Sequence, residues 1–221
     1  TILLNLFNSI RAFNKELFKK LLEEQKTICS GYAYLVKEMA NLAGIECQIV
    51  DGYARSAKSN VDELGVPNHS WNTVKLNDQW YLCDATWSSG SIYPLGEVNM
   101  FVHDYNDGYF LTKPAFFFKN HYPLDTQWTM MKNAEVDDFL KGPIVYGPAM
   151  KYGLNPLKPE AMHNRFEKGD TVLFQFEALE NIDPEVIYGE LNNGLYSKMC
   201  ELEVVGYAEN RLVLQYVFNK S

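Results

Sequence analysis

The stretch HSWNTVKLNDQWYLCDATW, residues 69–87, predicts a β-hairpin around which the rest of the fold can be placed. Two runs rich in β-branched and aromatic residues flank Asn77-Asp78, and Asn and Asp tolerate the left-handed dihedrals of a tight turn. A two-residue loop pairs Leu76 with Gln79. A four-residue loop keeps the same register, whereas a three-residue loop would change it unless a bulge restored it.

This register brings a histidine and an aspartate to one face of the sheet. If both strands continue to their ends, His69 lies opposite Thr86 and Trp71 lies opposite Asp84. Side chains alternate between the two faces, so all four project from the same side. His69 and Asp84 are then diagonal neighbours with backbones about 7–8 Å apart, and we expect their side chains to meet.

Cys29 is predicted to start a helix over residues 29–43, because small and apolar residues recur there at helical spacing and Gly44 follows as a C-terminal stop. Residues 45–54, IECQIVDGYA, alternate like a strand, and the polar residues 55–68 predict a loop. Apolar residues at spacings of three and four also predict a helix over residues 1–24.

The remainder of the chain changes character near residue 141. Residues 88–132 are rich in aromatic residues and predict an irregular segment that wraps over the first core. From about residue 141, Gly and Pro punctuate short alternating runs, which is typical of a small antiparallel β-domain such as an Ig-like sandwich. We therefore expect an α+β domain over 1–135, a β-sandwich domain over 141–221, and few contacts across the boundary.

Composition excludes several classes of protein. The 221 residues carry a net charge of −8, which disfavours nucleic acid as a partner. No apolar run approaches the roughly 20 residues of a membrane-spanning helix. The chain begins with Thr rather than Met, so we expect a fragment. The compartment stays open, and secretion or a periplasmic location remains an alternative if an export signal was removed. The oligomeric state also stays open.

The four cysteines predict neither a disulfide framework nor a metal centre. They are scattered, and the sequence has no C-x-x-C pair and no Asp-rich calcium loop. We therefore expect no cofactor and no required metal. Asn68-His69-Ser70 matches a glycosylation sequon, but its position in a hairpin predicts that it stays unmodified.

Cys29, His69 and Asp84 together have the chemistry of a thiol nucleophile with its base and orienting acid. The start of a helix favours thiolate over thiol, an imidazole accepts the thiol proton, and a carboxylate fixes the imidazole's tautomer. Each residue alone has a more ordinary explanation as a buried thiol, a structural histidine or a helix cap. The predicted meeting of His69 with Asp84 is what favours chemistry.

The same residues resemble the transglutaminase-like superfamily in order and spacing. The matching motifs are Cys29 with Gly31-Tyr32-Ala33, Gly44-Ile45, His69-Ser70-Trp71-Asn72, Trp80-Tyr81 and Asp84-Ala85-Thr86-Trp87. The segment YFLTKPAFFFKNHYPLDTQWTMM, residues 109–131, is similar to the kyphoscoliosis-peptidase-like branch. One departure is Thr27-Ile28 before the cysteine, where the family commonly has a Gly-Val or Gly-Ile step.

The resemblance implies a papain-like α+β core with Cys29 as nucleophile, His69 as general base and acid, and Asp84 as orienter. It implies acyl transfer from protein or peptide amides through a thioester, with water or an amine as acceptor. The backbone N–H of Cys29 is the expected oxyanion donor, and Gln25 and Trp71 are further candidates for oxyanion or substrate contacts. His121 is expected to be a hydrogen-bonded structural residue.

Two functions follow from this. The first is a transglutaminase-like cysteine peptidase whose C-terminal β-domain binds or positions a partner. The alternative is a catalytically silent module that retained the fold and binds a protein or glycan. The complete Cys29, His69 and Asp84 set favours the enzyme, because a scaffold has no need of all three.

Overall fold

The computed structural model describes residues 16, 19–24, 26–95, 98–179, 182–184, 187–192 and 197–218. Most of the helix predicted over 1–24 lies outside these residues, and so does Gln25. Residues 19–24 are helical, as predicted. Among the helices within these ranges, none is long and apolar enough to cross a membrane.

Residues 29–129 contain three of the five helices named here and one large sheet. Their elements are α1 (Cys29–Leu42), β1 (Cys47–Ala54), β2 (His69–Leu76), β3 (Gln79–Cys83), α2 (Ala85–Ser89), β4 (Gly90–Leu95), β5 (Val98–His103), a 3₁₀ turn (Asp107–Tyr109), β6 (Phe110–Thr112), α3 (Pro114–Phe117), β7 (His121–Pro123) and a second 3₁₀ turn (Thr126–Thr129).

The second half is dominated by strands. It contains α4 (Val136–Lys141), α5 (Gly147–Lys151), β8 (Leu154–Lys158), β9 (Thr171–Ala178), β10 (Gly189–Asn192), β11 (Ser197–Cys200), β12 (Glu203–Ala208) and β13 (Arg211–Val217). The chain is thus a mixed α+β protein with more strand than helix.

The predicted hairpin is the centre of a five-stranded antiparallel sheet with the order β6-β3-β2-β1-β7. Leu76 pairs with Gln79, as predicted, and Asn77 and Asp78 have φ values of 50° and 61°. These left-handed dihedrals suit the two-residue turn that joins strands of right-handed twist. Helix α1 packs on β1 and β2, and this contact brings the start of the helix to His69 at the start of β2.

The outer end of the hairpin differs from the prediction. The pairing stops where Asn72 meets Cys83, and Asp84 caps the short helix α2. The expected pairs of His69 with Thr86 and of Trp71 with Asp84 are therefore wrong. The cause is local, because the Asp84 carboxylate accepts the backbone N–H groups of the second and third helical residues, as N-cap aspartates do.

Residues 88–132 are also more regular than predicted. β4 and β5 form a separate antiparallel hairpin, and every residue of β5 is exposed. The aromatic residues after it do cover the first core, as expected. Tyr109, Phe116 and Phe117 are buried in one cluster with residues of the large sheet.

The C-terminal part is built from strands. A four-stranded antiparallel sheet has the order β12-β13-β9-β8, and β10 pairs with β11. Among the described residues from Leu154 onward, the assigned elements are strands apart from a 3₁₀ position at Pro184. The Ig-like sandwich stays a prediction, as does a domain boundary within residues 133–142. Residues just after that boundary pack on the first core, where Val145 and Met150 join the cluster that contains Trp71.

Hydrogen bonds from Arg55 connect the first core to these later residues. Its guanidinium is fully buried, and it donates hydrogen bonds to the carbonyls of Phe139, Leu140 and Gly142 at the end of α4. A buried cation at the negative end of a helix neutralises carbonyls that have no partner within the helix.

Replacing Arg55 by methionine is expected to lower the free energy of unfolding by at least about 3 kcal/mol, because buried carbonyls lose their donors. Urea unfolding followed by tryptophan fluorescence measures the change. The exposed Arg165→Met is the matched control and should cost less than about 0.5 kcal/mol. Equal effects of the two changes would contradict this role of Arg55.

Candidate active site

The Cys29 thiol lies at the first residue of α1 and is partly exposed. Its pKa is lowered, chiefly by a hydrogen bond with His69, which outweighs the opposing effect of burial. The backbone N–H groups of Ser70 and Ser30 add to the lowering. A thiol at a helix start beside an imidazole is the environment in which cysteine becomes a nucleophile.

Gly31 allows the chain before the thiol to approach the helix closely. A Cβ on Gly31 would lie 1.8 Å from the Thr27 hydroxyl oxygen, so a larger residue would displace the segment that enters α1. This explains in physical terms why a glycine stands two residues after Cys29.

His69 connects the thiol to a buried carboxylate. Its Nε2 lies 2.7 Å from Asp84 Oδ2, which leaves Nδ1 as the ring nitrogen for Cys29. Burial alone would lower the pKa of His69, but hydrogen bonds to Asp84 and Cys29 outweigh it and raise the pKa to about 9. The lowered thiol pKa and the raised imidazole pKa together favour a thiolate–imidazolium pair at neutral pH.

The two carboxylate oxygens of Asp84 form hydrogen bonds with different groups. Oδ1 accepts the backbone N–H groups of Thr86 and Trp87 at 2.8 and 3.1 Å, and Oδ2 faces two imidazoles. Burial would raise the pKa of Asp84, but hydrogen bonds to His121 and His69 keep it well below its usual range. The helix cap therefore orients the carboxylate that orients His69.

The second imidazole belongs to His121 on β7. Its Nε2 lies 3.0 Å from Asp84 Oδ2, and its Nδ1 lies 2.5 Å from Asn120 Oδ1. His121 is hydrogen-bonded, as expected, but its partner is the aspartate of the site. Pairing of β7 with β1 places it there, a long-range contact that the sequence did not predict.

Aromatic rings surround both imidazoles. The ring centroids of Trp71 and Trp87 lie 6.1 and 5.5 Å from that of His69, and Phe117 stacks on His121 at 4.1 Å. Trp71 is only 1% exposed, and its indole N–H has no partner among the described residues. Its contact with His69 indicates a packing role, and a role in binding substrate or an oxyanion stays a prediction.

The other cysteines lie apart from this arrangement. All four are free, and Cys47 and Cys83 are buried together with Val74 in a cluster that packs against Val36 and Ala40, further along α1. Burial raises the pKa of Cys47, and it raises that of Cys83 to about 11. Neither thiol has the environment of a nucleophile at neutral pH.

His69, Asp84 and His121 are residue types that also bind metals, and their polar atoms lie within 4.8 Å of one another. The separations of 2.7 and 3.0 Å from Asp84 Oδ2 are those of hydrogen bonds, and both imidazoles already use their nitrogens in this way. The arrangement is explained without a metal, and the absence of a required metal stays a prediction.

A cavity of about 390 Å³ lies near the start of α1. Ser30 and Ser70, whose N–H groups contact Cys29 Sγ, line it together with Tyr34, Asp51 and Lys26, whereas Cys29 itself does not line it. Its walls combine charged and apolar side chains.

Comparisons with known proteins agree with this geometry. Residues 8–85 match the family model of the transglutaminase-like superfamily. Kyphoscoliosis peptidase of Homo sapiens is 39% identical over 114 residues, and that of Mus musculus is 38% identical; each match covers 51% of this chain and 17% of the relative. Hillarin of Drosophila melanogaster is 27% identical over 140 residues, covering 57% of this chain and 17% of its own length.

The chain thus spans less than a fifth of the length of these relatives. The matched part contains Cys29, His69 and Asp84 within residues 8–85. These matches support the transglutaminase-like superfamily for residues 8–85 and, within it, the branch of the kyphoscoliosis peptidases for the matched part of the chain.

Proposed function

We propose that the chain is a cysteine-dependent enzyme that transfers the acyl group of protein or peptide amides through a thioester, with Cys29, His69 and Asp84 as its triad. The observation that carries this is the buried hydrogen bond from His69 to Asp84 beside a thiol of lowered pKa. A binding module gains nothing from a buried imidazole–carboxylate pair aimed at a partly exposed sulfur.

In the first step the Cys29 thiolate attacks the amide carbonyl carbon, and a carbon–sulfur bond forms. The His69 imidazolium then gives its proton to the amide nitrogen, the carbon–nitrogen bond breaks, and an amine leaves. The enzyme now carries a thioester. Throughout, Asp84 holds Nε2 of His69 so that Nδ1 faces the reacting atoms.

In the second step His69 acts as a base. It takes a proton from water or from an amine, and the activated oxygen or nitrogen attacks the carbonyl carbon of the thioester. The carbon–sulfur bond breaks, the Cys29 thiolate leaves, and the His69 imidazolium that remains beside it restores the starting pair. Water yields hydrolysis, and a lysine amine yields a crosslink. The name peptidase carried by the two mammalian relatives favours water as the acceptor here.

The oxyanion of each tetrahedral intermediate needs donors at the start of α1. The backbone N–H of Cys29 is the first of these, since the first N–H groups of a helix have no partner within it. Gln25 lies outside the described residues, and the Trp71 indole is buried, so the second donor stays a prediction.

The cavity near the start of α1, which Ser30 and Ser70 line, would hold the acyl side of the substrate. The C-terminal strands would hold or position the protein partner, in keeping with the prediction of a separate β-domain. The silent binding module remains the alternative, and it differs in that Cys29 would form no covalent intermediate.

The test incubates the chain with a complex mixture of unfolded peptides, with and without an added biotinylated amine. Mass spectrometry then detects new peptide ends and amine adducts. We expect one of the two products from the wild type and from Cys200→Ala, and neither from Cys29→Ala. If wild type and Cys29→Ala give identical mixtures while Cys29 still reacts with iodoacetamide, the binding module is the better description.

A further inference from the structure

Asn120 determines which nitrogen of His121 carries a proton. Its side-chain Nδ2 donates to the Val145 carbonyl at 2.6 Å and lies 3.3 Å from the Tyr109 hydroxyl. Turning the amide over would place two acceptor oxygens 2.6 Å apart, so this orientation is fixed. Asn120 Oδ1 therefore faces His121 Nδ1 as an acceptor, and Nδ1 is protonated.

A second proton must lie on the other side of the ring. His121 Nε2 and Asp84 Oδ2 are 3.0 Å apart in a fully buried setting. Without a proton between them, two lone pairs would oppose each other where water cannot intervene, which costs more than a lost hydrogen bond. The proton belongs to Nε2 or to Oδ2, and in both cases the Asp84–His121 pair has no net charge.

We infer that His121 is a positioning residue that shares a proton with Asp84, so that the carboxylate facing His69 belongs to a neutral pair. For its catalytic meaning this inference rests on the proposed function. A neutral pair still holds Nε2 of His69 by a hydrogen bond at 2.7 Å, but it attracts the imidazolium proton less than a free carboxylate does. His69 can then pass its proton to the leaving amine.

Few charged or titratable groups compete for this proton. The groups that face His121 are Asp84 at the start of α2 and His69 on β2. The Tyr109 hydroxyl contacts His121 through Asn120. Burial raises the pKa of Tyr109, which keeps its hydroxyl neutral. Burial lowers the pKa of His121 even though the hydrogen bond to Asp84 opposes this effect, so the second proton follows from the facing atoms of the two hydrogen bonds and not from the acidity of His121.

The wild-type chain provides a direct test by NMR, since it has four histidines. At pH 7 we expect two far-downfield exchangeable protons that correlate through space with the His121 ring, one on Nδ1 and one in the bridge to Asp84. A single proton, on Nδ1 alone, would overturn the inference. This readout needs no substrate, so it separates failure of the inference from failure of the proposed function.

His121→Gln tests the charge of the pair, because glutamine keeps a donor but brings no proton to share. With the carboxylate left negative 2.7 Å from His69 Nε2, the titration midpoint of the His69 ring should rise by about one to two pH units. The exposed His103→Gln is the control and should leave it unchanged. An unchanged His69 midpoint in a variant with native near-UV circular dichroism would refute the inference; if the variant does not fold, the wild-type proton count decides.

Discussion

Changing Asp84 to asparagine is expected to slow acyl transfer roughly 10⁴-fold without unfolding the chain, as the analogous change does in serine triads. Asparagine is as good an N-cap as aspartate, so its oxygen should keep the bonds to the N–H groups of Thr86 and Trp87. Its NH₂ group then faces His69 Nε2. The His69 ring must then accept a hydrogen bond at Nε2, which puts its own proton on Nδ1, where it points at the thiol. His69 can no longer act as a base toward Cys29.

Asp125→Asn is the matched control, since Asp125 is an exposed N-cap of a 3₁₀ turn with no histidine beside it. The cleavage rate of any peptide substrate and the thermal unfolding midpoint should both be measured. We expect Asp125→Asn to leave both unchanged and Asp84→Asn to alter mainly the rate. A full rate in Asp84→Asn would assign Asp84 to helix capping alone.

Changing His69 to glutamine is expected to reduce the rate at which iodoacetamide alkylates Cys29 at pH 6 by about 100-fold. His69 is the largest cause of the lowered Cys29 pKa, and without it the thiol returns toward the ordinary value near 8.5. Only a fraction of a per cent of such a thiol is ionised at pH 6. The helix start and two backbone N–H groups remain, so the loss is not complete.

His163→Gln serves as the control for this change. His163 Nε2 lies 2.6 Å from Asp62 Oδ1, so it also forms a histidine–aspartate pair, but an exposed one. We expect it to leave the alkylation rate of Cys29 unchanged. A similar loss in both variants would mean that the effect comes from general destabilisation, and circular dichroism of each variant would show it.

The hairpin of residues 69–87 could be predicted because its information is local. Asn77-Asp78 specifies the turn, and the turn specifies the register from Leu76 and Gln79 to Asn72 and Cys83, which leaves Asp84 directly after the end of β3. The helix that begins at Cys29 and the strand at 47–54 follow from equally local patterns. The prediction that His69 and Asp84 meet was thus right. The predicted strand pairing that was to bring them together was wrong, because Asp84 reaches the ring from a helix cap.

The rest of the site depends on contacts between distant parts of the chain. His121 meets Asp84 because β7 pairs with β1, and nothing in the residues around His121 specifies that pairing. The burial of Arg55 beneath α4 also depends on long-range contacts, since its hydrogen-bond partners at the end of α4 lie more than 80 residues away. The hairpin of β4 and β5 was missed because β5 has no buried face, so its sequence lacks the alternation of a strand that covers a core.

The most direct test of the account is the pH dependence of Cys29 alkylation in the wild-type chain. Iodoacetamide should modify Cys29 readily at pH 6, where an ordinary thiol is almost fully protonated, and mass mapping should find Cys47 and Cys83 unmodified. The reaction should change little between pH 6 and 8, because the thiolate is already formed. A rate that remains negligible at pH 6 and rises tenfold per pH unit toward 8.5 would show an ordinary thiol and contradict the account.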